Sequence, residues 1–367
     1  MSVRRVVIKV GTSTLAPDGG AIDIEYARSL VGQVCDVKRA GVQPLIVTSG
    51  AISAGVTRLC LDARPTDMPS LQAAASVGQV ALVECYAALF AECGVTIGQV
   101  LLTRHDTGNR EAYLHARDTL ERLLELGAVP VVNENDTVAV DEIRFGDNDT
   151  LAALVATMVG ADLVVLLSDI EGLYDADPRA SDEARLLDTV DELTDDLIAA
   201  AGGSGTAQGS GGMATKVEAA RVLMKAGIPL VVCDGRREDV VRDAVEGRTC
   251  GTTFSPGEGS LGARKLWIAL GRKPAGEIVI DDGAKRALLE RDASLLPAGV
   301  VSASGAFAGG DAVVLKDTSG AVVARGLAGF SSEDLERVKG MKSSEIASVH
   351  PHLAGLEVVH RDSLAVF

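Results

Sequence analysis

The sequence predicts an α/β protein: an open, mainly parallel sheet with helices on both faces, followed by a small, mostly β domain. Three observations predict it. Through the first 250 residues or so, short apolar runs alternate with longer segments of helical spacing, the pattern of βαβ units. The runs are continuously apolar rather than alternating, so their strands are buried on both faces. From residue 275 the texture changes to short strands and Gly-containing turns.

Taken in order, the predicted strands are "VVIKV" (6–10), "PLIVT" (44–48), "TIGQVLL" (96–102), "AVPVVN" (128–133), "LVVLLS" (163–168) and "PLVVC" (229–233). Helical spacing fills 22–40, 70–93, 111–126, 150–160 and 215–226 between them. The most membrane-like stretch, "LAALVATMVGADLVVLL" (151–167), is interrupted by Asp162 and turns β-branched in its second half. It reads as a buried helix followed by a buried strand rather than a membrane span. Residues 1–255 form the first domain, the Gly/Pro-rich and basic stretch 256–274 a linker, and 275–367 the second domain. In that second domain "AGGD" and "DTSG" read as hairpin connections.

Composition narrows the function classes. Apolar residues make up 47% of the chain and aromatics only 3%, which suits an aliphatic core better than a base-stacking surface. The formal charge of −16 argues against general binding to nucleic acid or to an anionic membrane. The second domain holds nine Lys/Arg and thirteen Asp/Glu, a balance of −4, so it lacks a basic footprint too. The six cysteines form no CxxC pair and read as small buried apolar residues in a reducing cytoplasm. No set of metal-ligating residues stands out, and "HPH" (350–352) reads as surface. No signal peptide is visible, because the apolar run after "MSVRR" breaks at Lys9.

In open parallel sheets, ligands bind beyond the carboxyl ends of the strands. Polar clusters follow the predicted strands there: Lys9 with Gly11, Thr12 and Ser13; "TSGAISAG" (48–55); "NENDTV" (133–138); and "SDIEGLYDADP" (168–178). The glycine-rich "GSGTAQGSGGMATK" (203–216) is open to two readings by composition, a slack linker or a phosphate loop. It feeds a helix expected to begin near Thr215, and a glycine-rich loop at a helix N-terminus offers free N–H groups and a favourable dipole to an anion. Lys216 adds a full positive charge. "FGDNDT" (145–150) reads partly as a cap for the helix expected from Thr150.

The blocks "VVIKVGTSTL", "VTSGAISAG", "VVNENDTV", "GDNDTLAALVA", "LLSDIEGLYDADPR" and "GSGGMATKVEAA" resemble the signature blocks of the glutamate 5-kinases, a family within the amino-acid kinase superfamily. They keep that family's order and spacing over the first 255 residues. The region from 275 resembles a PUA domain, and "VVHRD" near the end also fits. Two residues depart from the pattern: Ser210 stands where Thr is usual, and His115 where Asn is expected.

The resemblance implies the amino-acid kinase fold. It implies an ATP-dependent transfer of phosphate to the side-chain carboxylate of L-glutamate, the first step of proline biosynthesis, with Mg2+ accompanying ATP. It implies that Lys9 and Lys216 flank the transferring phosphoryl and that Asp169 holds both lysines. Gly11, Thr12, Ser168, Asp169, Gly211, Gly212 and Met213, with the two lysines, are implied to hold the nucleotide. Ser49, Asp136 and Asn148 are implied to hold glutamate. Feedback inhibition by proline is implied through Asp106–Arg110 and 134–147, including Glu142. Assembly as a homo-oligomer, dimer or tetramer, and a cytoplasmic location are implied as well.

Overall fold

A computed structural model describes residues 3–17, 20–103, 106, 110–138, 148–176, 183–201, 212–257, 274–291 and 293–366. The chain divides into two compact units, Met1–Ser260 and Leu261–Phe367. The division falls within the stretch read as a linker. Most of that linker, with Arg264, Lys265, Arg272 and Lys273, lies outside the described residues.

In the first unit the strands are β1 (Arg5–Val10), β2 (Gln43–Val47), β3 (Ile97–Leu102), β4 (Val129–Glu134), β5 (Leu163–Ser168), β6 (Thr189–Val190), β7 (Leu230–Asp234) and β8 (Thr252–Phe254). The helices are α1 (Thr12–Leu15), α2 (Ile24–Arg39), α3 (Ala51–Arg58), α4 (Met68–Glu92), α5 (Arg110–Glu125), α6 (Asn148–Val159), α7 (Asp195–Ala200), α8 (Met213–Lys225) and α9 (Val240–Val245). The sheet order is β3-β4-β2-β1-β5-β7-β8-β6. Every described pairing is parallel except β7 with β8. Strands β1, β2, β4, β5 and β7 are buried along nearly their whole length, as continuous apolarity requires; β3, at the sheet edge, is only half-buried, and there the expectation fails. The short strands β6 and β8 carry too few apolar residues to stand out in the sequence.

Strand order places the site. The chain passes from β1 to its neighbour β2, crosses to β3 at the sheet edge, comes back to β4 between β3 and β2, and then moves to β5 on the other side of β1. That reversal is a topological switch point, where a crevice opens at the carboxyl ends of the strands. Lys9 pairs in register with Val47 on one side and Leu166 on the other. The ends of β1, β2 and β5 are therefore level.

The stretch 151–167 divides as expected into α6 and β5, with Leu151–Ala156 wholly buried. Among the described residues one helix, α4, is long and apolar enough by length and composition to cross a membrane. Its Leu82, Tyr86 and Phe90 are core residues of the first unit. All six cysteines are free; Cys35, Cys233 and Cys250 are buried, Cys85 and Cys93 half-buried, and Cys60 exposed. The expectation of buried thiols thus holds at three cysteines, only in part at Cys85 and Cys93, and fails at Cys60, which sits in the turn after α3.

The second unit is a five-stranded sheet of order β10-β9-β11-β12-β13. Its strands are β9 (Gly276–Ile280), β10 (Val300–Gly305), β11 (Ala312–Lys316), β12 (Val322–Ala328) and β13 (Val359–Val366), with helices α10 (Asp282–Arg291), α11 (Ser332–Val338) and α12 (Ser343–Val349). "DTSG" does join an antiparallel hairpin, β11 to β12. "AGGD" does not: β9 lies between β10 and β11 and pairs with both, so that turn links strands that are not neighbours.

Candidate active site

A cleft of about 320 Å³ opens at the switch point. Its wall includes Lys9, Gly11 and Thr12 after β1, Ser49 after β2, Asp136 after β4, Ser168 and Asp169 at the end of β5, Asn148 at the start of α6 and Lys216 in α8. The sequence separates these residues by up to 207 positions, and the parallel sheet gathers them at one edge.

The centre of the site is Asp149. Its Oδ1 lies 2.7 Å from Lys9 Nζ and its Oδ2 lies 3.1 Å from Lys216 Nζ. Thr215 Oγ1 also donates to Oδ2, at 3.0 Å. Asp149 is fully buried, and the two lysines are almost so. Burial by itself raises the Asp149 carboxyl; the ammonium groups of Lys9 and then Lys216 reverse this and hold it below the usual carboxylate range. Its place in the first turn of α6 adds the favourable end of the helix dipole.

This corrects the expected partner. Both lysines pair with Asp149, not with Asp169. Asp169 is an exposed wall residue whose Oδ1 accepts from Ser168 Oγ at 3.1 Å. The signal for Asp149 was present in "GDNDTLAALVATMV". The helix this stretch forms has almost no other polar side chain, so its first turn lies close to the core, and a carboxylate that is buried there needs cationic partners.

Asn148 begins α6 two residues before the expected start at Thr150. Its two Nδ2 N–H groups are shared among three acceptors within reach, Thr48 O, Ser49 Oγ at 2.9 Å and Asn133 Oδ1 at 2.9 Å. Asn133 Nδ2 donates in turn to Gln79 Oε1 at 2.8 Å. The Asn148 amide nitrogen, expected to donate to a ligand, is thus engaged by the protein and fixes Ser49 at the cleft wall. Ser49 owes its position to Gly50 as well. Gly50 has φ of +94°, the left-handed turn that ends β2 and starts α3.

Helix α3 is held by a close approach to α4. A Cβ on Gly55 would stand 1.7 Å from Ala74 O, and one on Gly78 would stand 1.7 Å from Ala51 O. Only glycine permits that approach, and Ala51–Ser53 of α3 line the cleft.

On the phosphate side, Gly212 is the N-cap of α8, with φ −73° and ψ 179° and no side-chain cap, so the helix begins at Met213 rather than near Thr215. Gly212 and Met213 are not among the cleft-lining residues. Gly211, Ser210 and the rest of the glycine-rich loop lie outside the described residues, as do Glu142 and 107–109 of the expected proline region. His115 is on the solvent side of α5, its side chain 3.8 Å from Glu111 and well exposed. Arg64, in the segment between α3 and α4, also lines the cleft and was not foreseen.

The amino acid kinase family matches residues 4–234, and the PUA domain matches 276–350. Relatives extend over almost the whole chain. A glutamate 5-kinase of Carboxydothermus hydrogenoformans is 46% identical, covering 100% of this chain and 98% of its own. One of Caldanaerobacter subterraneus subsp. tengcongensis is 44% identical, covering 99% of this chain and 97% of its own. One of Geobacter sulfurreducens is 43% identical, covering 99% and 98%.

Proposed function

This chain belongs to the amino acid kinase family, and from that premise we propose that it phosphorylates the side-chain carboxylate of L-glutamate with ATP, giving L-glutamyl 5-phosphate at the start of proline biosynthesis. One observation carries the reading. Two lysines from opposite ends of the catalytic unit converge on one buried carboxylate at the switch point, next to the Ser49–Asn148 wall.

The chemistry needs charge and alignment rather than a base. A free side-chain carboxylate has a pKa of about 4.3 and is already the nucleophile at neutral pH. The barrier is the approach of one anion to another in line. Lys9 and Lys216 supply the positive charge. Asp149 fixes their positions and, being a single carboxylate between two ammonium groups, leaves a net positive charge for the transferring phosphoryl. Fixed charges in a buried site stabilise the transition state without reorganising.

The wall divides between the substrates. Gly11, Thr12, Ser168, Asp169 and Lys216 serve the nucleotide, joined by Gly211, Gly212 and Met213 as the glycine-rich loop. Ser49 and Asp136 serve glutamate, Ser49 as a donor to a carboxylate and Asp136 as the partner of the α-ammonium. Asn148 acts through Ser49. A divalent ion, Mg2+ in this reading, accompanies ATP and neutralises phosphate charge. The donor set fits an ion held mainly by phosphates: among the described residues no three His, Cys, Asp or Glu side chains cluster as a metal site. Asp169 is the carboxylate at hand on the nucleotide side.

Proline inhibition and self-association complete the proposal. Proline shares the α-amino-acid end of glutamate, so its site overlaps that of glutamate, near Asp106–Arg110 and 134–147. The enzyme assembles with copies of itself in the cytoplasm, and the apolar outer face of α4 supports this. The test is ADP release with Mg-ATP and L-glutamate, N-acetylglutamate, aspartate or UMP, each with and without proline. Glutamate-dependent release suppressed by proline is expected. Release that depends on another acceptor sinks the reading.

A further inference from the structure

L-glutamate brings two carboxylates to the cleft, and the proposed function accounts for the cation near only one of them. Among the described residues, three cationic side chains line the cleft: Lys9, Lys216 and Arg64. The first two are held on Asp149 and serve the phosphoryl group. Arg64 forms no ion pair with the described residues, and it is exposed. It comes from the segment that follows α3, the helix whose first turn stands beside Ser49. It therefore belongs to the wall that holds the acceptor.

We propose that Arg64 binds the α-carboxylate of the amino-acid substrate and so selects which end of the molecule meets the phosphoryl group. The inference rests on the glutamate reading above. Its chemistry follows from charge. An α-carboxylate at this end of the cleft faces the acidic side chains of Glu134 and Asp136. Asp136 suits the α-ammonium, and among the described residues of that wall Arg64 is the cation placed to offset the negative charge of the α-carboxylate. A guanidinium meets a carboxylate through two parallel N–H···O bonds, with geometric as well as electrostatic selectivity. Holding the α-carboxylate on Arg64 also keeps it away from Lys9 and Lys216, where it would compete with the side-chain carboxylate for the reacting position.

The test compares L-glutamate with its α-amide, which keeps the side-chain carboxylate and lacks the α-carboxylate charge. The wild type is expected to favour glutamate in kcat/KM by about ten- to a hundredfold, the range of a charge-assisted pair. Arg64→Gln is expected to raise KM for glutamate about tenfold or more, to leave KM for ATP unchanged, and to abolish most of the preference over the α-amide. Arg64→Lys, which keeps the charge without the fork, should fall between. Loss of discrimination is a readout that a merely structural role for Arg64 would not move. Wild-type activity on glutamate with discrimination intact in Arg64→Gln overturns the assignment, as does a rise confined to KM for ATP. Absence of any glutamate-dependent ADP release in the wild type overturns the function itself, and this assignment with it.

Discussion

Lys9 Nζ stands 2.7 Å from Asp149 Oδ1, and neither side chain has more than 4% of its surface exposed. Removing one partner of such a pair leaves an uncompensated buried charge, at about 3–5 kcal/mol. Here two ammonium groups would be left facing each other. Asp149→Ala is therefore expected to lower stability by about that amount and to reduce kcat at least a hundredfold. Asp149→Asn, which keeps the shape and removes the charge, should recover part of the stability and little of the rate. Asp169→Ala, at an exposed position, should leave the thermal midpoint nearly unchanged. Calorimetry and steady-state kinetics on the three variants check this; equal destabilisation at Asp149 and Asp169 would falsify the central role of Asp149.

The same pair sets an acid limit. Asp149 has its carboxyl depressed in the fold by Lys9 and Lys216, against the opposing effect of burial. Its unfolded pKa is about 3.9. A group with a lower pKa when folded contributes stability that is fully present above its unfolded pKa, and loses it as pH falls through the folded value. The wild type should therefore lose stability more steeply than Asp149→Asn below about pH 4. The gap between their thermal midpoints should be widest at neutral pH and close in acid. Parallel curves across that range would contradict the linkage.

Sequence and structure agree where one physical signal dominates. The central strands are legible because burial on both faces demands unbroken apolar runs, and the switch-point crevice follows from their order with helices between. The ends of the strands are legible because polar residues directly after a buried strand have few other reasons to be there. Asp149 is hard to read from the sequence because it sits next to Asn148 in a motif that also makes sense as a helix cap; its partners lie 140 and 67 positions away. Arg64 is not legible in the sequence because a lone arginine in a polar connection carries no pattern. Its significance comes only from the folding-back of that segment onto the cleft. "AGGD" misled because a Gly-rich turn announces a change of direction, not the identity of the neighbouring strand.

Asn148 couples the two halves of the acceptor wall by donating to both Ser49 Oγ and Asn133 Oδ1. Asn148→Ala should raise KM for glutamate and lower kcat, because Ser49 loses its anchor. Ser49→Ala should do the same directly. If Asn148 acts through Ser49, the double variant will be little worse than either single one. A coupling of about 0.5–3 kcal/mol is typical of residues in one hydrogen-bond network. Additive losses in kcat/KM would show that Asn148 meets the substrate independently.

Gly78 and Gly55 set the distance between α3 and α4. The atoms a new Cβ would meet at 1.7 Å are backbone carbonyl oxygens, which cannot turn aside as a side chain can. Gly78→Ala should force the helices apart and destabilise the fold by at least about 1–3 kcal/mol, the scale of overpacking. Because Ala51–Ser53 line the cleft, the surviving folded enzyme should show a raised KM for glutamate and a nearly normal KM for ATP. Thermal denaturation together with both KM values tests the pairing; a KM change for ATP alone would point elsewhere.

The outer face of α4 makes the last prediction. A helix on a solvated surface carries polar residues on its outer stripe. Along α4 that stripe runs through Ala73, Ser76, Val80, Glu84, Ala87 and Ala91, all exposed, with one charge among them. Val80 alone is 59% exposed. Such a stripe of small and apolar residues suits close contact with another copy of the chain, where apolar area is removed from water. The wild type should sediment as a dimer or larger assembly. Val80→Asp should shift it toward the monomer at the same protein concentration, because an unpaired carboxylate would have to be buried in the contact. Both proteins should give the same far-ultraviolet circular dichroism, since Val80 faces away from the core of its own subunit. A wild type that sediments as a monomer across the micromolar range removes the argument for self-association through this face.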